Sequence, residues 1–199
     1  MLGTGMVGRA ISERLAGLGH EVRVGSRLAR DDAVVFADAA RFGEVVFNCT
    51  AGTASLDALT AAGAENLVGK LLIDVSNPLE HTDAGTRLTV CNTESLGERI
   101  QRAFPDARVV KALNTMNCRV MVDPAGVPGD HVVFVCGDDE AAKAEATRLL
   151  GEFGWTPERV LDLGDLSAAR GTEAYLLLWV RMMRPVGTWA FNIAIARAG

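Results

Sequence analysis

The sequence has little with which to build a metal centre, a disulfide framework or a membrane span. Its 3 histidines, His20, His81 and His131, are far apart and not at ligand spacing. Its 4 cysteines, Cys49, Cys91, Cys118 and Cys136, contain no C-x-x-C pair, so they are expected to be reduced packing residues of a cytoplasmic protein. The most apolar stretch, AYLLLWV (174–180), is far shorter than the roughly 20 residues a membrane span needs. No secretory signal is visible, and a soluble protein is expected. Positive charge is short as well: a formal net charge of −5 argues against nucleic acid or an anionic membrane as the main partner. There is no G-x-S-x-G motif and no evident Tyr–Lys or Lys–His proton relay, so a reaction that demands a strong general acid is not indicated.

Apolar residues are plentiful, at 49% of 199, which is enough core for one α/β domain and a small appendage. Val7, Ile11, Leu15 and Leu18 recur at helical spacing, and Gly19 closes the run. β-type runs follow at 21–27 (EVRVGSR) and 34–36 (VVF), with a small helix at 37–41. EVVFNCT (44–50) and KLLIDVS (70–76) read as buried parallel strands, joined by an alanine- and leucine-rich crossover helix over 54–67. A helix at 93–104, strands at 107–115 and 131–137, a helix at 138–154 and a last short strand within 155–164 continue the alternation. That pattern predicts a doubly wound parallel sheet over residues 1–160, followed by a small C-terminal helical region, 161–199. Ala174–Met183 carries one charge, Arg181, and is apolar nearly all round. A second subunit is expected to cover it, giving a homodimer through the tail.

The chain opens MLGTGMVGRA, which sets Gly3, Gly5 and Gly8 in a G-x-G-x-x-G pattern at the start of a helix. Gly3 permits a tight turn, Gly5 lets backbone approach a pyrophosphate, and Gly8 lets the helix pack closely on the sheet. Free N–H groups at the helix N-terminus then face the phosphates. The alternative is a plain strand-to-helix turn. Only Met1 and Leu2 precede the loop, so they are expected to be the stub of the central strand. Adding about five β-type residues upstream is expected to raise stability and cofactor affinity, in keeping with the buried strand that normally delivers this loop.

The end of the second strand bears on which dinucleotide is bound. Where an NAD-binding chain usually carries a carboxylate for the ribose 2′-hydroxyl, this one reads Gly25-Ser26-Arg27. A hydroxyl and a guanidinium suit a 2′-phosphate, so NADPH is favoured over NADH, with a solvated surface role for Arg27 as the alternative. Three further strand ends are small and polar: Asn48-Cys49-Thr50-Ala51, Ser76-Asn77-Pro78-Leu79 and Asn114-Thr115-Met116-Asn117. Their amides and hydroxyls can bond a ribose or a carboxamide, though Asn and Ser also serve as turn and cap residues. Hydride transfer between two organic cofactors needs little more than such positioning, because the cofactors carry the chemistry.

Several segments taken together (GTGMVGRAISERLAGLGHEVRVGSR, IDVSNPL, ARVVKALNTMN, FVCGDDEAAK and LDLGDLSAARGTEAYLLLWVRMM) resemble the NADPH-dependent reductases of the deazaflavin coenzyme F420. The resemblance covers most of the chain in order. It implies a Rossmann-type domain with a helical dimerisation region. It implies Thr4, Gly5, Met6 and Val7 in the cofactor loop, Ser26 and Arg27 on the 2′-phosphate, and Thr50 and Ala51 near the ribose. Asn77, Pro78 and Asn114 would lie beside the nicotinamide, positioning it rather than acting as acids or bases. The reaction implied is hydride transfer between NADP(H) and F420. Two departures stand out: the family's full first strand is reduced to its end, and only LARDDA follows V-G-S-R where many similar sequences are longer. Residues are expected to be absent from this sequence at both places. Two other readings remain open, a reductase of another flavin-like or small organic acceptor and a non-catalytic NADPH sensor.

Overall fold

Leu2 is the hinge pin of the sheet. In the computed structural model, which describes residues 1–198, its N–H donates to the Phe47 carbonyl at 2.8 Å and its carbonyl accepts from Cys49 N at 2.8 Å. On the other side, Gly25 N donates to the Met1 carbonyl at 2.7 Å and Gly3 N to the Gly25 carbonyl at 3.0 Å. Met1 and Leu2 thus occupy the central strand position between β1 (Gly25–Ser26) and β3 (Val45–Asn48). The strand order runs β2 (Val34–Val35), β1, the Met1–Leu2 stub, β3, β4 (Leu71–Asp74), β7 (Arg108–Ala112), β8 (Val133–Cys136) and β9 (Val160–Asp162).

Alternation within the strands divides the core. Leu71 and Ile73 face α1 (Met6–Gly17), α5 (Cys118–Val122) and α6 (Glu140–Phe153), whereas Leu72 faces α2 (Phe36–Phe42), α3 (Ser55–Ala62) and α4 (Leu96–Ala103). Both faces are covered, which is why the strands read as continuous apolar runs.

The sheet is mostly parallel, not wholly so: β8 runs antiparallel to β7. Residues 113–132 between them hold the 5-residue α5 and a short 3₁₀ turn at Pro124–Gly126, not a full-length crossover helix of the kind that usually joins parallel strands. The strand expected at 21–27 is regular only at Gly25–Ser26; just before it the Arg23 carbonyl accepts from the Met1 amino group and the Val24 carbonyl from Val34 N, each at 2.9 Å. A cavity of about 490 Å³ nearby is lined by Met1, Val22, Arg23, Phe42, Val45 and Phe47, among others. The hairpin β5 (Leu79–Thr82) and β6 (Gly85–Leu88), turned at Asp83-Ala84, has no apolar alternation and was not expected from the pattern.

After β9 the chain forms α7 (Ala169–Val186). Ala169, Thr172, Glu173, Leu176 and Trp179 form its buried face, and Trp179 stacks on Phe191 of the returning tail with ring centroids 5.2 Å apart. The chain therefore covers one side of this helix itself, while Leu178 on another side remains 57% exposed. Arg170 at its start pairs with Glu98 of α4, and that guanidinium beside it lowers the Glu98 carboxyl to about 2. Of the four cysteines, Cys136 is buried but Cys91 is exposed, so the packing role expected for all four does not hold at Cys91, which lies in the loop after the hairpin. Burial pushes the Cys49 and Cys136 thiols up to about 12.

Candidate dinucleotide site

The glycine loop leaves the end of the central stub and turns directly into α1. Gly3 has φ of +112°, and a side chain there would put Cβ 2.7 Å from the Cys49 carbonyl oxygen. A Cβ on Gly8 would sit 2.2 Å from the Gly3 carbonyl oxygen, whereas one on Gly5 would meet nothing within 4 Å. The three glycines therefore differ in kind: two are needed by the protein's own packing, and the third leaves open space. α1 starts at Met6 with Gly5 as its N-cap, no side-chain cap and no acidic residue in its first turn. Its leading N–H groups, in the Met6-Val7-Gly8 turn, are free to meet an anion, aided by the helix dipole.

Beside the loop, a cavity of about 280 Å³ is lined by Gly3, Thr4, Ser26, Arg27, Leu28 and Arg30, with Phe36 closing it. Arg30 donates to the Thr4 hydroxyl at 2.8 Å, and Arg9 Nε donates to the Thr4 carbonyl at 3.0 Å. Arg9 also reaches Asp32 at 3.4 Å. Arg9 and Arg30 are absent from the sequence-based set. Arg30 was detectable as a second arginine three positions after Arg27, but Arg9 was hidden on the outward face of α1. Ser26 is buried and its hydroxyl donates to the Leu28 carbonyl, so it holds the loop's shape as well as lining the cavity. Arg27 and Arg30 at the cavity, beside an uncapped helix start, suit a dinucleotide bearing an extra phosphate, with Asp32 4.0 Å from Arg30.

The strand-end residues gather across the sheet from this cavity. Asn77 Nδ2 donates to the Asn114 carbonyl at 2.9 Å, and Asn114 Nδ2 donates to Asn77 Oδ1 at 2.9 Å. The two amides fix one another and keep further donors and acceptors unspent. Leu113 stands at φ +64°, a conformation that costs a bulky residue on the order of 1–3 kcal/mol, immediately before Asn114. Gly52, another residue missed in the sequence, brings the two loops together: a Cβ there would lie 2.0 Å from the Asn77 carbonyl oxygen. Pro78 is buried behind Asn77, and Ala51 is exposed at the loop surface. Thr50 donates its hydroxyl to Asn48 Oδ1 at 2.7 Å, which orients it from within. Asn117 caps α5, accepting from Arg119 N at 3.0 Å, and is not part of the cluster. Thr115 is buried with an unpartnered hydroxyl.

His131, His20 and Trp155 serve the frame. His131 is buried, its Nε2 2.9 Å from the Pro124 carbonyl oxygen, and His20 lies 2.6 Å from Glu152. Trp155 is buried and donates to the Met121 carbonyl at 2.9 Å. Arg181 and Arg184 are exposed on α7. Among the described residues, no three His, Cys, Asp or Glu side chains are grouped to hold a metal ion, and no helix is long and apolar enough to cross a membrane.

A mostly parallel doubly wound sheet, a G-x-G-x-x-G turn at its centre and an arginine-lined cavity at the next strand define a dinucleotide-binding protein of the Rossmann type. Comparison narrows the class. Residues 1–78 match the family of NADP oxidoreductases described as coenzyme F420-dependent. A solved structure from Arthrobacter sp. FB24, provisionally described as an F420-dependent NADP reductase, is 49% identical, with a TM-score of 0.93 over 98% of this chain and 97% of that one. The F420-dependent NADP reductase of Methanocaldococcus jannaschii is 30% identical over 69% of this chain and 60% of its own length. Metalloreductase STEAP3 of Rattus norvegicus is 34% identical over 87% of this chain, which spans only 35% of that protein. The chain belongs to the F420-dependent NADP oxidoreductase family.

Proposed function

We propose that the protein transfers hydride between NADP(H) and a deazaflavin of the F420 type. The observation that carries the cofactor choice is the cavity at the end of β1, where Arg27 and Arg30 stand in place of the carboxylate that would hold a free 2′-hydroxyl. When bound, the nicotinamide supplies a hydride at its C4, and a deazaflavin receives it with one proton from water. The chain's contribution is placement. The first turn of α1 would hold the pyrophosphate, Ser26, Arg27 and Arg30 would hold the 2′-phosphate with Arg9 beside them, and Thr50 and Ala51 would meet the ribose. The Asn77–Asn114 pair, backed by Pro78, orients the carboxamide end. Membership of the family supports F420 as the acceptor. The similarity to a metalloreductase favours a second reading, in which the electrons pass to a flavin or a ferric complex.

An absorbance assay at the deazaflavin band, with NADPH and NADH in parallel, tests this. Turnover with NADPH and F420 is expected, with NADH much poorer. Turnover with a flavin or ferric chelate alone would replace the acceptor, and tight NADPH binding without any turnover would favour a sensor.

We also propose a homodimer through α7, supported by its exposed Leu177, Leu178 and Val186 and by Trp189 just beyond. Sedimentation at micromolar concentration is expected to give a dimer; a monomer there would rule the interface out.

A further inference from the structure

Two carboxylates and one ammonium are shut inside the protein behind the Asn77–Asn114 pair. Asp74 at the end of β4, Lys111 on β7 and Glu173 on α7 have side chains between 0% and 2% exposed. Lys111 Nζ lies 2.7 Å from Asp74 Oδ2 and 2.7 Å from Glu173 Oε1, and it donates to the Ser76 carbonyl at 2.6 Å. All three of its N–H donors are thereby used. Burial works to lower the Lys111 pKa, but the two carboxylates outweigh it and hold the ammonium above its ordinary value.

The cluster reaches outward in two directions. Asp74 Oδ1 accepts from Ser76 N at 3.2 Å, from the Ser76 hydroxyl at 2.6 Å and from Asn48 Nδ2 at 2.9 Å. Asn48 in turn orients Thr50. Glu173 accepts from Leu96 N at 2.8 Å and Gly97 N at 3.1 Å, the leading amides of α4. One connected network therefore runs from helix α7, through Lys111, to both the amide and the carbonyl of Ser76, the residue before Asn77.

Stability alone is a poor account of this arrangement. Desolvating three charges offsets most of their attraction, and well-packed apolar residues often do as well. What short charge-assisted bonds add is direction. We infer that Lys111, held by Asp74 and Glu173, is a positioning centre: it fixes the Ser76–Asn77 backbone and so the nicotinamide subsite, and it couples that subsite to α7. This rests on the placement of the nicotinamide at Asn77 and Asn114.

Glu173→Gln tests it with little change of shape. The amide keeps one of the two acceptors that α4 uses and removes the charge that steadies Lys111, leaving a one-to-one Lys111–Asp74 pair. Lys111→Met is the more severe variant. Calorimetric titration with NADP and with adenosine 2′,5′-bisphosphate separates the two ends of the site, because the second ligand lacks the nicotinamide half. In Glu173→Gln, bisphosphate affinity is expected to stay within about twofold, while the preference for NADP over bisphosphate falls about fivefold. Turnover is expected to drop about tenfold, and hydride transfer from NADPH deuterated on one face at C4 is expected to lose facial selectivity. An unchanged affinity ratio and unchanged selectivity would overturn the proposal. So would a parallel loss for both ligands together with a lower melting temperature, since that marks a merely structural role. If the wild-type protein binds neither ligand, the cofactor assignment itself falls and this inference with it.

Discussion

Arg27→Asp is expected to raise the KM for NADPH by about 100-fold while changing the KM for NADH by less than about threefold. A charge-assisted hydrogen bond to phosphate is worth about 1.5–3 kcal/mol, and the introduced carboxylate adds repulsion on the same atoms. NADH lacks the 2′-phosphate, and its ribose hydroxyl can donate to the new carboxylate. Arg27 lines the 280 Å³ cavity together with Arg30, so Arg30→Ala is expected to act in the same direction with about a tenfold effect, as for one lost charged bond. Steady-state kinetics with both nucleotides decides the matter. Equal changes for NADPH and NADH would show that the cavity does not read the phosphate.

A second pair of variants separates binding from folding. Gly5→Ala is expected to melt within about 2 °C of the wild type yet lose about 100-fold in NADP affinity, because a methyl group there clashes only with ligand. The geometry supports this: Gly5 has φ of −73°, which any residue adopts, and its Cβ direction is empty. Gly8→Ala is expected to fail on both counts. Its Cβ would lie 2.2 Å from the Gly3 carbonyl, and forcing loop and helix apart should cost about 2–3 kcal/mol, or about 8 °C in a chain of this size. Thermal melting and calorimetry on the same preparations give both readings. Should Gly5→Ala bind NADP normally, the pyrophosphate does not cross this loop.

Much of the frame was legible because its signals are local. The helix from Val7 to Leu18, the strands around 45–48, 71–74 and 108–112, and the helix at 140–153 each show a regular apolar period bounded by polar or glycine residues. The hairpin at 79–88 escaped because its strands, LEHT and GTRL, are partly exposed and have no apolar alternation. The reversal of β8 escaped because a strand's own residues do not record its direction.

The candidate site divides in the same way. Gly3, Gly5, Gly8, Ser26 and Arg27 could be picked out because the loop and the strand that follows it lie close together in the chain. Arg9, Gly52 and Leu113 could not, since their roles are contacts and conformations: a guanidinium folded onto Thr4, a Cβ that would strike Asn77, and a positive φ before Asn114.

By itself the sequence determined an α/β sheet wound about a glycine turn, and it singled out Ser26 and Arg27 as the pair proposed for a 2′-phosphate, because periodicity, glycine placement and missing carboxylates act within a few residues. Only the tertiary structure decided that Asp74, Lys111 and Glu173 share one buried cluster. They lie 37 and 62 positions apart, and nothing in their local runs marks them as partners. Charges that would be solvated in isolation become a single network only when three elements close around them and water is excluded.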